Sequence, residues 1–492
     1  MKVSKIYGEH KLFNDIKKYS PNKKYNLLPF TFHRIENSVL VSNICGENAL
    51  ISSLDFNDLV EHNLNPDSHS YKTLKAKNII FDSIKSNHIE LLSLKLRTKI
   101  KPLSEFTGLH IFVNTLRCDY SCSYCQVSRQ TEDKDSFDMT EEQAEAAIGL
   151  VFKSPNPNIK IEFQGGEPLL NFPIIKYVVE RSSEINEHFK KNIQFVIATN
   201  LSFINDEVID FCGDYNVYLS TSIDGPADIH NKNRPRPGKN GFELTTKNLK
   251  RIQERLGTDR VSALLTTTEG ALDRVEEIID TYIDLGFKNI FLRPLSPYGF
   301  AIKTKSFSKY RTSEWFEFYK KGLDYILELN KKGIDVREQY ASLITKKLLS
   351  PFPTKYVDLM SPAGAGISVV VYNYDGKIYA SDEARMLKEM GNDQFCIGTV
   401  FDKYEDIFCN DELVDVLESS ESHSLPMCRD CGFLEQCGSD PVYHVATQKD
   451  PIGHKALSGF CSKNMSIFEL ITKKIYSNSE DSKILKSWAT LR

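Results

Sequence analysis

The chain has 492 residues, with 62 Lys and Arg against 66 Asp and Glu and a formal charge of −4, which excludes the strongly basic surface of a nucleic-acid binder. With 41% hydrophobic and 26% charged residues, the composition is globular rather than disordered or fibrous, and at roughly 150 residues per domain the length suggests about three domains or one barrel with added modules. No apolar run reaches the roughly 18 residues a spanning helix needs, and the opening MKVSKIYGEHKLFNDIKKYS is too broken by charge for a signal peptide. A soluble protein of the reducing cytoplasm is expected, in which an odd count of 11 cysteines argues for metal ligands rather than disulfides.

Residues 1–107 read as a small α+β module. In YNLLPFTFHRIENSVLVSNICGENALIS, turn signals at Glu36-Asn37 and Gly46-Glu47-Asn48 separate two or three short strands, and helices are expected from about Asp55 and Tyr71. A winged-helix-like module fits, serving either to capture a leader peptide at a sheet edge or only to cover one end of a barrel.

Over 108–335, β-rich runs alternate with amphipathic stretches, the pattern of βα units around a parallel sheet. Six strands are expected: LHIFVNT from 109, IKIEFQ from 159, IQFVIAT from 193, VYLSTS from 217, VSALLTT from 261 and NIFLRPL from 289. EEQAEAAIGLVFK and DRVEEIIDTYIDLGF carry the spacing of helices packed on a sheet, the second stopped by Gly286. Six units make an α/β fold, a partial (βα)6 TIM-like barrel, whose chemistry gathers in the loops after the strands. A helix from Thr312 to Gly333 leads past the Pro-flanked SPFPTKY into a cysteine-bearing C-terminal domain over 336–492.

Cys118, Cys122 and Cys125 follow the first barrel strand in NTLRCDYSCSYCQVSRQ, whereas Cys428, Cys431 and Cys437 lie in CRDCGFLEQCG and Cys461 in SGFCSKN. The scattered Cys45, Cys212, Cys396 and Cys409 read as small buried hydrophobes. Three thiolates can hold three corners of a 4Fe-4S cube and leave one iron open to the amino and carboxylate groups of S-adenosylmethionine. A zinc site of three cysteines and one distant ligand is the alternative.

The CxxxCxxC spacing, with Tyr124 before its last cysteine, resembles the defining loop of the radical S-adenosylmethionine (radical SAM) superfamily. The likeness continues in order along the barrel. In FQGGEPLL, Gly165, Gly166, Glu167 and Pro168 match a GGEP element, whose glycines admit a close backbone and whose Glu167 offers an acceptor to the cofactor's ammonium group. ATN ends in Thr199 and Asn200, STSIDGP carries Ser222 and Asp224, and HNKNRPRPGKNGF is similar to an HDxxR stretch with Asn231 for the aspartate and Arg234 kept. The resemblance implies that Tyr124, Gly165, Gly166, Glu167, Asn200, Ser222, Asp224 and Arg234 bind the cofactor; singly, the polar ones also read as turn chemistry.

Cys428-x2-Cys431-x5-Cys437 followed by Cys461 resembles the SPASM extension of peptide-modifying members, which implies one auxiliary 4Fe-4S cluster. Zinc stays open for these four thiols. Ser381, Pro441 and PAGAG stand where that pattern places the ligands of a further cluster, so two clusters in total are implied. Asp382 aligns with a proton-accepting aspartate of sulfatase-maturing members, and also reads as an exposed acid in SDEAR; His423, His444 and His454, near the cysteines, read as polar surface, with a ligand role as the alternative.

Together with LLPFTFHRI, these features resemble the radical maturase of the His-Xaa-Ser peptide system. That resemblance implies an oxidoreductase that modifies a ribosomally made precursor peptide through 5′-deoxyadenosyl hydrogen abstraction and oxidation or crosslinking. It implies a reducing electron donor, with no nucleic-acid or membrane partner. A sulfatase-maturase-like enzyme and a zinc-stabilised, non-catalytic peptide-binding protein are the other readings.

Overall fold

Alternating apolar residues in FTFHRIENSVLVSN close a hairpin at Glu36-Asn37, where Glu36 adopts a φ of 54°. The computed structural model describes residues 25–82, 87–131, 133–350, 354 and 356–489; the opening segment and most of SPFPTKY lie outside the described residues. The first strands are β1 (Asn26–Leu27), β2 (Phe30–Ile35), β3 (Ser38–Asn43), β4 (Asn48–Ser52) and β5 (Ile80–Phe81). β2, β3 and β4 form an antiparallel meander, and β1 pairs with β5. Helices Ser53–Val60 and His69–Ala76 start at Ser52 and Ser68, whose side chains accept from the Asp55 and Tyr71 N–H groups. Val39, Val41, Phe56 and Leu74 are among the residues that pack as the core of this part. Met1–Lys99 with Asp430–Glu435 make one compact unit, and Ile100–Arg429 with Gln436–Arg492 make the other.

The second unit is built on β6 (Leu109–Thr115), β7 (Asn158–Gly165), β8 (Asn192–Ala198), β9 (Tyr218–Ser222) and β10 (Val261–Leu264), all parallel. Helices Glu141–Lys153, Phe172–Phe189, Asp206–Asp214 and Gly241–Leu256 connect them. These are five of the six expected strands. The sixth, NIFLRPL, is regular only at β11 (Asn289–Ile290), which pairs with β12 (Arg337–Glu338) rather than β10. Beyond β11 the chain still runs beside the extension of β10, where the Thr267 N–H donates to the Arg293 carbonyl at 3.0 Å. Pro294 and Pro297 lack donors, which limits any longer ladder.

β13 (Val369–Tyr372) adds to the same sheet in parallel with β6, and β14 (Lys377–Tyr379) and β15 (Cys396–Thr399) follow antiparallel. The sheet order is β10-β9-β8-β7-β6-β13-β14-β15. Hydrogen bonds between β13 and β6 thus cross the sequence boundary at 336, which is why both sides fall in one compact unit. Phe112 of β6 sits at this seam with no exposure, its ring 5.9 Å from that of Phe163 and 5.0 Å from that of Tyr372. No helix among the described residues is long and apolar enough to cross a membrane.

Three minor expectations need correction. Cys45 and Cys212 are buried, but Cys396 is only half-buried and Cys409 is exposed, because it ends the short helix Tyr404–Phe408 at the surface. His444 is fully buried, its Nε2 2.9 Å from the Ser458 hydroxyl. Gly453 lies against its ring, where a Cβ would come within 2.5 Å.

Replacing Phe112 by Ala should cost about 3–5 kcal/mol of stability, the usual cost of emptying a buried aromatic site. Equilibrium urea denaturation of the full chain measures it, and a loss below about 1 kcal/mol would show that the seam is not a packing centre.

Candidate active site

The loop that carries Cys118, Cys122 and Cys125 leaves β6 under tight constraint. Arg117 holds Asp138 through two hydrogen bonds of 2.7 and 2.6 Å and reaches the Leu170 carbonyl at 2.8 Å. Gly165 and Gly166 press against the same stretch: a Cβ on either would fall 2.0 Å from the Thr115 carbonyl oxygen or 2.2 Å from that of Arg117. Their missing side chains therefore admit the neighbouring backbone, and the Gly166 and Glu167 N–H groups donate to Thr115 and Arg117 at 2.9 and 2.7 Å. From the other side, Gly299 at φ 57° places its Cα where a Cβ would meet the Cys125 carbonyl at 2.5 Å, and the Phe300 N–H donates to that carbonyl at 2.8 Å.

Glu167 is fully buried behind this wall. Its carboxylate accepts from the Thr199 hydroxyl at 2.6 Å, the Asn200 N–H at 2.8 Å and the Leu169 N–H at 3.1 Å. Burial pushes its pKa up to about 7, against the pull of those donors. Asn200 in turn donates its side-chain N–H to Asp119 at 2.9 Å, which ties the turn after β8 to the cysteine loop.

Asp224 is likewise fully buried. Arg234 grips it with two hydrogen bonds of 3.1 Å each, Tyr124 donates its hydroxyl to it, and the Thr266 N–H approaches at 3.3 Å. The Arg234 guanidinium also lies over the Tyr124 ring, 5.4 Å from its centre.

These contacts close a cavity of about 230 Å³ at the carboxyl ends of the strands. The three cysteines line it with Gly165, Gly166 and Tyr124, and so do Thr199, Asn200, Ser222 and Arg234. Asp382 lines it too, reaching over from the C-terminal part of the unit. Glu167 and Asp224 stand one bond behind, where they hold the residues that face the space. Burial raises the pKa of Asp382, while Arg385, which donates to its Oδ1 at 3.4 Å, and Arg293 pull it down. Arg293 also faces the cavity and no motif flagged it; a lone cation at the end of an apolar barrel strand was the available signal.

The donor set fits an iron–sulfur cluster. Burial pushes the Cys122 thiol up to about 12 and the Cys118 thiol well above its ordinary value, so these groups become thiolates only in the field of a bound cation. Among the described residues, no three His, Cys, Asp or Glu side chains converge as ligands of a single metal ion.

Farther along the unit, Cys461 feels the charge of Cys428, and both feel the ammonium of Lys455. Lys455 is 5% exposed, donates to Ser439 at 3.0 Å, and also senses Cys437. Cys431 belongs to the segment Asp430–Glu435 of the first unit, where it bridges to Phe32 of β2. Ser381 and Pro441, which replace cysteines of the SPASM pattern, both start helices: the Ser381 hydroxyl accepts from the Ala384 N–H at 3.2 Å, and Pro441 opens Pro441–Gln448. His423 and His454 are exposed.

Residues 113–282 match the model of the radical SAM superfamily. An uncharacterized protein of Methanocaldococcus jannaschii is 32% identical over 37% of this chain and 61% of its own length. The radical SAM cyclopropyl synthase TigE of Paramaledivibacter caminithermalis is 26% identical over 47% of this chain and 48% of its own. The cysteine-type anaerobic sulfatase-maturating enzyme of Clostridium novyi is 24% identical over 73% and 94%. The chain thus spans less than two thirds of the first two of these relatives. Among solved structures, native anSMEcpe with bound AdoMet aligns over 77% of this chain and 99% of its own with a TM-score of 0.62 at 18% identity. Streptococcus suis SuiB bound to precursor peptide SuiA aligns over 89% and 99% with a TM-score of 0.54 at 15%. Both share the fold.

Removing Arg234 as Arg234→Met leaves Asp224 buried and uncompensated, and should cost about 3–5 kcal/mol. Thermal and urea unfolding at neutral pH measure the loss, and the double variant Arg234→Met/Asp224→Leu should recover much of it.

Proposed function

We propose that this member of the radical SAM superfamily is a maturase that modifies a ribosomally made peptide, most similar in its motifs to the His-Xaa-Ser system. One observation carries the reading: Asp382, an acid within reach of the Arg385 and Arg293 guanidinium groups, lines the same cavity as the three thiols of the cysteine loop. When bound on Cys118, Cys122 and Cys125, a 4Fe-4S cluster with S-adenosylmethionine supplies hydrogen-atom abstraction through a 5′-deoxyadenosyl radical, which no side chain provides.

The chain's own residues place and shield. Thr199, Asn200 and Ser222 offer hydroxyl and amide groups to the polar parts of the cofactor, and the Arg234 guanidinium and Tyr124 ring form one wall. Gly165 and Gly166 keep that wall against the cysteine loop, and Glu167 and Asp224 fix it from behind. Arg385 engages Oδ1 of Asp382, which leaves Oδ2 to accept the proton that an oxidised substrate carbon releases.

Cys428, Cys431, Cys437 and Cys461 are the ligands of one auxiliary 4Fe-4S cluster in this reading, and the buried Lys455 favours the thiolates of Cys428, Cys437 and Cys461. The reading also takes an external reducing donor, the cytoplasm as location, and the division into 1–107, 108–335 and 336–492. The first module would present β4, which among the described residues pairs only with β3, to an extended leader peptide. Solved neighbours support a peptide substrate, since SuiB carries SuiA and anSMEcpe carries the Kp18Cys peptide. The coverage of 94% of the C. novyi enzyme favours a second reading, oxidation of a single residue on a sulfatase-like protein.

Iron and acid-labile sulfide after anaerobic reconstitution test the assignment. About eight irons per chain are expected, falling to about four in Cys118→Ala/Cys122→Ala/Cys125→Ala; a chain that takes up no iron would end the proposal. Asp382→Asn should form 5′-deoxyadenosine at the parent rate while peptide product falls by about 10²-fold or more, both read by mass spectrometry, and equal loss of both would deny Asp382 the proton-accepting role.

A further inference from the structure

Beside the first cavity lies a larger one of about 470 Å³, whose residues the chemistry above leaves unused. The two share Arg293 as a common wall, and consecutive residues divide between them, Asp382 facing the first and Glu383 the second. Three carboxylates, Asp358, Glu383 and Asp440, line this second space against two cations, Arg293 and Lys463. Among the described residues, none of these five side chains forms an ion pair with another. The Lys463 ammonium instead lies over the rings of Tyr340 and Phe460, at 5.3 and 5.0 Å from their centres. One Asp440 oxygen caps Pro441–Gln448 by accepting from the Tyr443 N–H at 2.9 Å.

Two further groups point to a guest. The Tyr298 hydroxyl and the Trp315 indole N–H line the same space, are buried without a hydrogen-bond partner, and belong to residues only 2% and 1% exposed. Such groups are costly unless something supplies the missing bond. An indole N–H needs an acceptor, such as a peptide carbonyl; the carboxylates need a cation. Burial and the neighbouring acids push Glu383 up to about 8 and Asp440 up to about 7, with Arg293 and Lys463 too weakly placed to reverse it. A cation entering the space relieves that crowding.

We propose that the second cavity takes a cationic side chain of the substrate peptide, bound by Glu383 and Asp440 and flanked by aromatic walls. Ammonium, guanidinium and protonated imidazole share the chemistry required. The inference rests on the maturase reading for the word substrate, and it specifies what that substrate carries next to the residue attacked, since Arg293 joins the two spaces.

The test is a calorimetric titration of the full-length chain, without cluster, with benzamidine, benzamide and benzoate, which match in shape and differ in charge. Benzamidine should bind tighter than either by about tenfold or more, the worth of one charge-assisted hydrogen bond. Glu383→Gln/Asp440→Asn should lose that preference, with the amide at 440 still able to cap its helix and circular dichroism unchanged. Benzoate binding as tightly as benzamidine, or a preference that survives the double variant, would overturn the proposal. The ranking on the parent chain needs no variant, so a misfolded mutant does not blunt it. Iron uptake is measured separately: a chain that binds benzamidine but no iron fails the maturase reading alone, and one that binds iron but ranks benzoate first fails this inference alone.

Discussion

Asp224 is a carboxylate with no exposure, and a buried charge persists only with partners. Its partners come from three separate loops: Tyr124 from the cysteine loop, Arg234 from the stretch after β9, and the Thr266 N–H from beyond β10. Satisfying one side chain therefore gathers the ends of β6, β9 and β10 at one point. The glycine pair after β7 adds the remaining constraint, because only a backbone without Cβ can sit against Thr115 and Arg117. The position of the three thiols follows from these two restraints, and neither involves a thiol.

The site is accordingly built in two layers. Glu167 and Asp224 spend their hydrogen-bonding capacity on neighbouring loops, and the residues they hold, Thr199, Asn200 and Arg234, face the cavity. Withdrawing both carboxylates keeps their negative charge from standing directly among the three thiols, whose ionisation it would oppose. Side chains locked from behind also need no reorganisation when a ligand arrives, which is the physical meaning of a preorganised site.

The C-terminal part joins the barrel through β13, and this continuity sets the helix Asp382–Lys388 over the mouth of the sheet. Two positions that carry cysteines in the SPASM pattern have become helix starts here. Ser381 caps the helix that presents Asp382 and Glu383, and Pro441 opens the helix capped by Asp440. The space those changes border is the second cavity, where acids outnumber cations and aromatic groups await partners. Arg293 thus stands between the two cavities.

Local pattern was legible in the chain itself. Short β-rich runs between amphipathic stretches marked five of the six sheet strands of the barrel, turn residues marked the N-terminal hairpins, and the order of CxxxCxxC, GGEP, ATN and STSIDGP marked the loops that meet. The irregular sixth strand was less legible, because prolines cut its ladder without changing its apolar character. Direction of facing was not legible at all. Whether Glu167 and Asp224 point at a ligand or at a neighbouring loop depends on donors that arrive from elsewhere in the chain, and His444 was hidden for the same reason, by Gly453 and Ser458. Arg293, Asp358, Glu383 and Asp440 share no motif and meet only because β13 pairs with β6. The sequence by itself determined which residues are candidates for the chemistry, since residue type and spacing are local; the tertiary structure decided which of them face the cavity and what lies beside it, since burial and pairing are settled between distant segments.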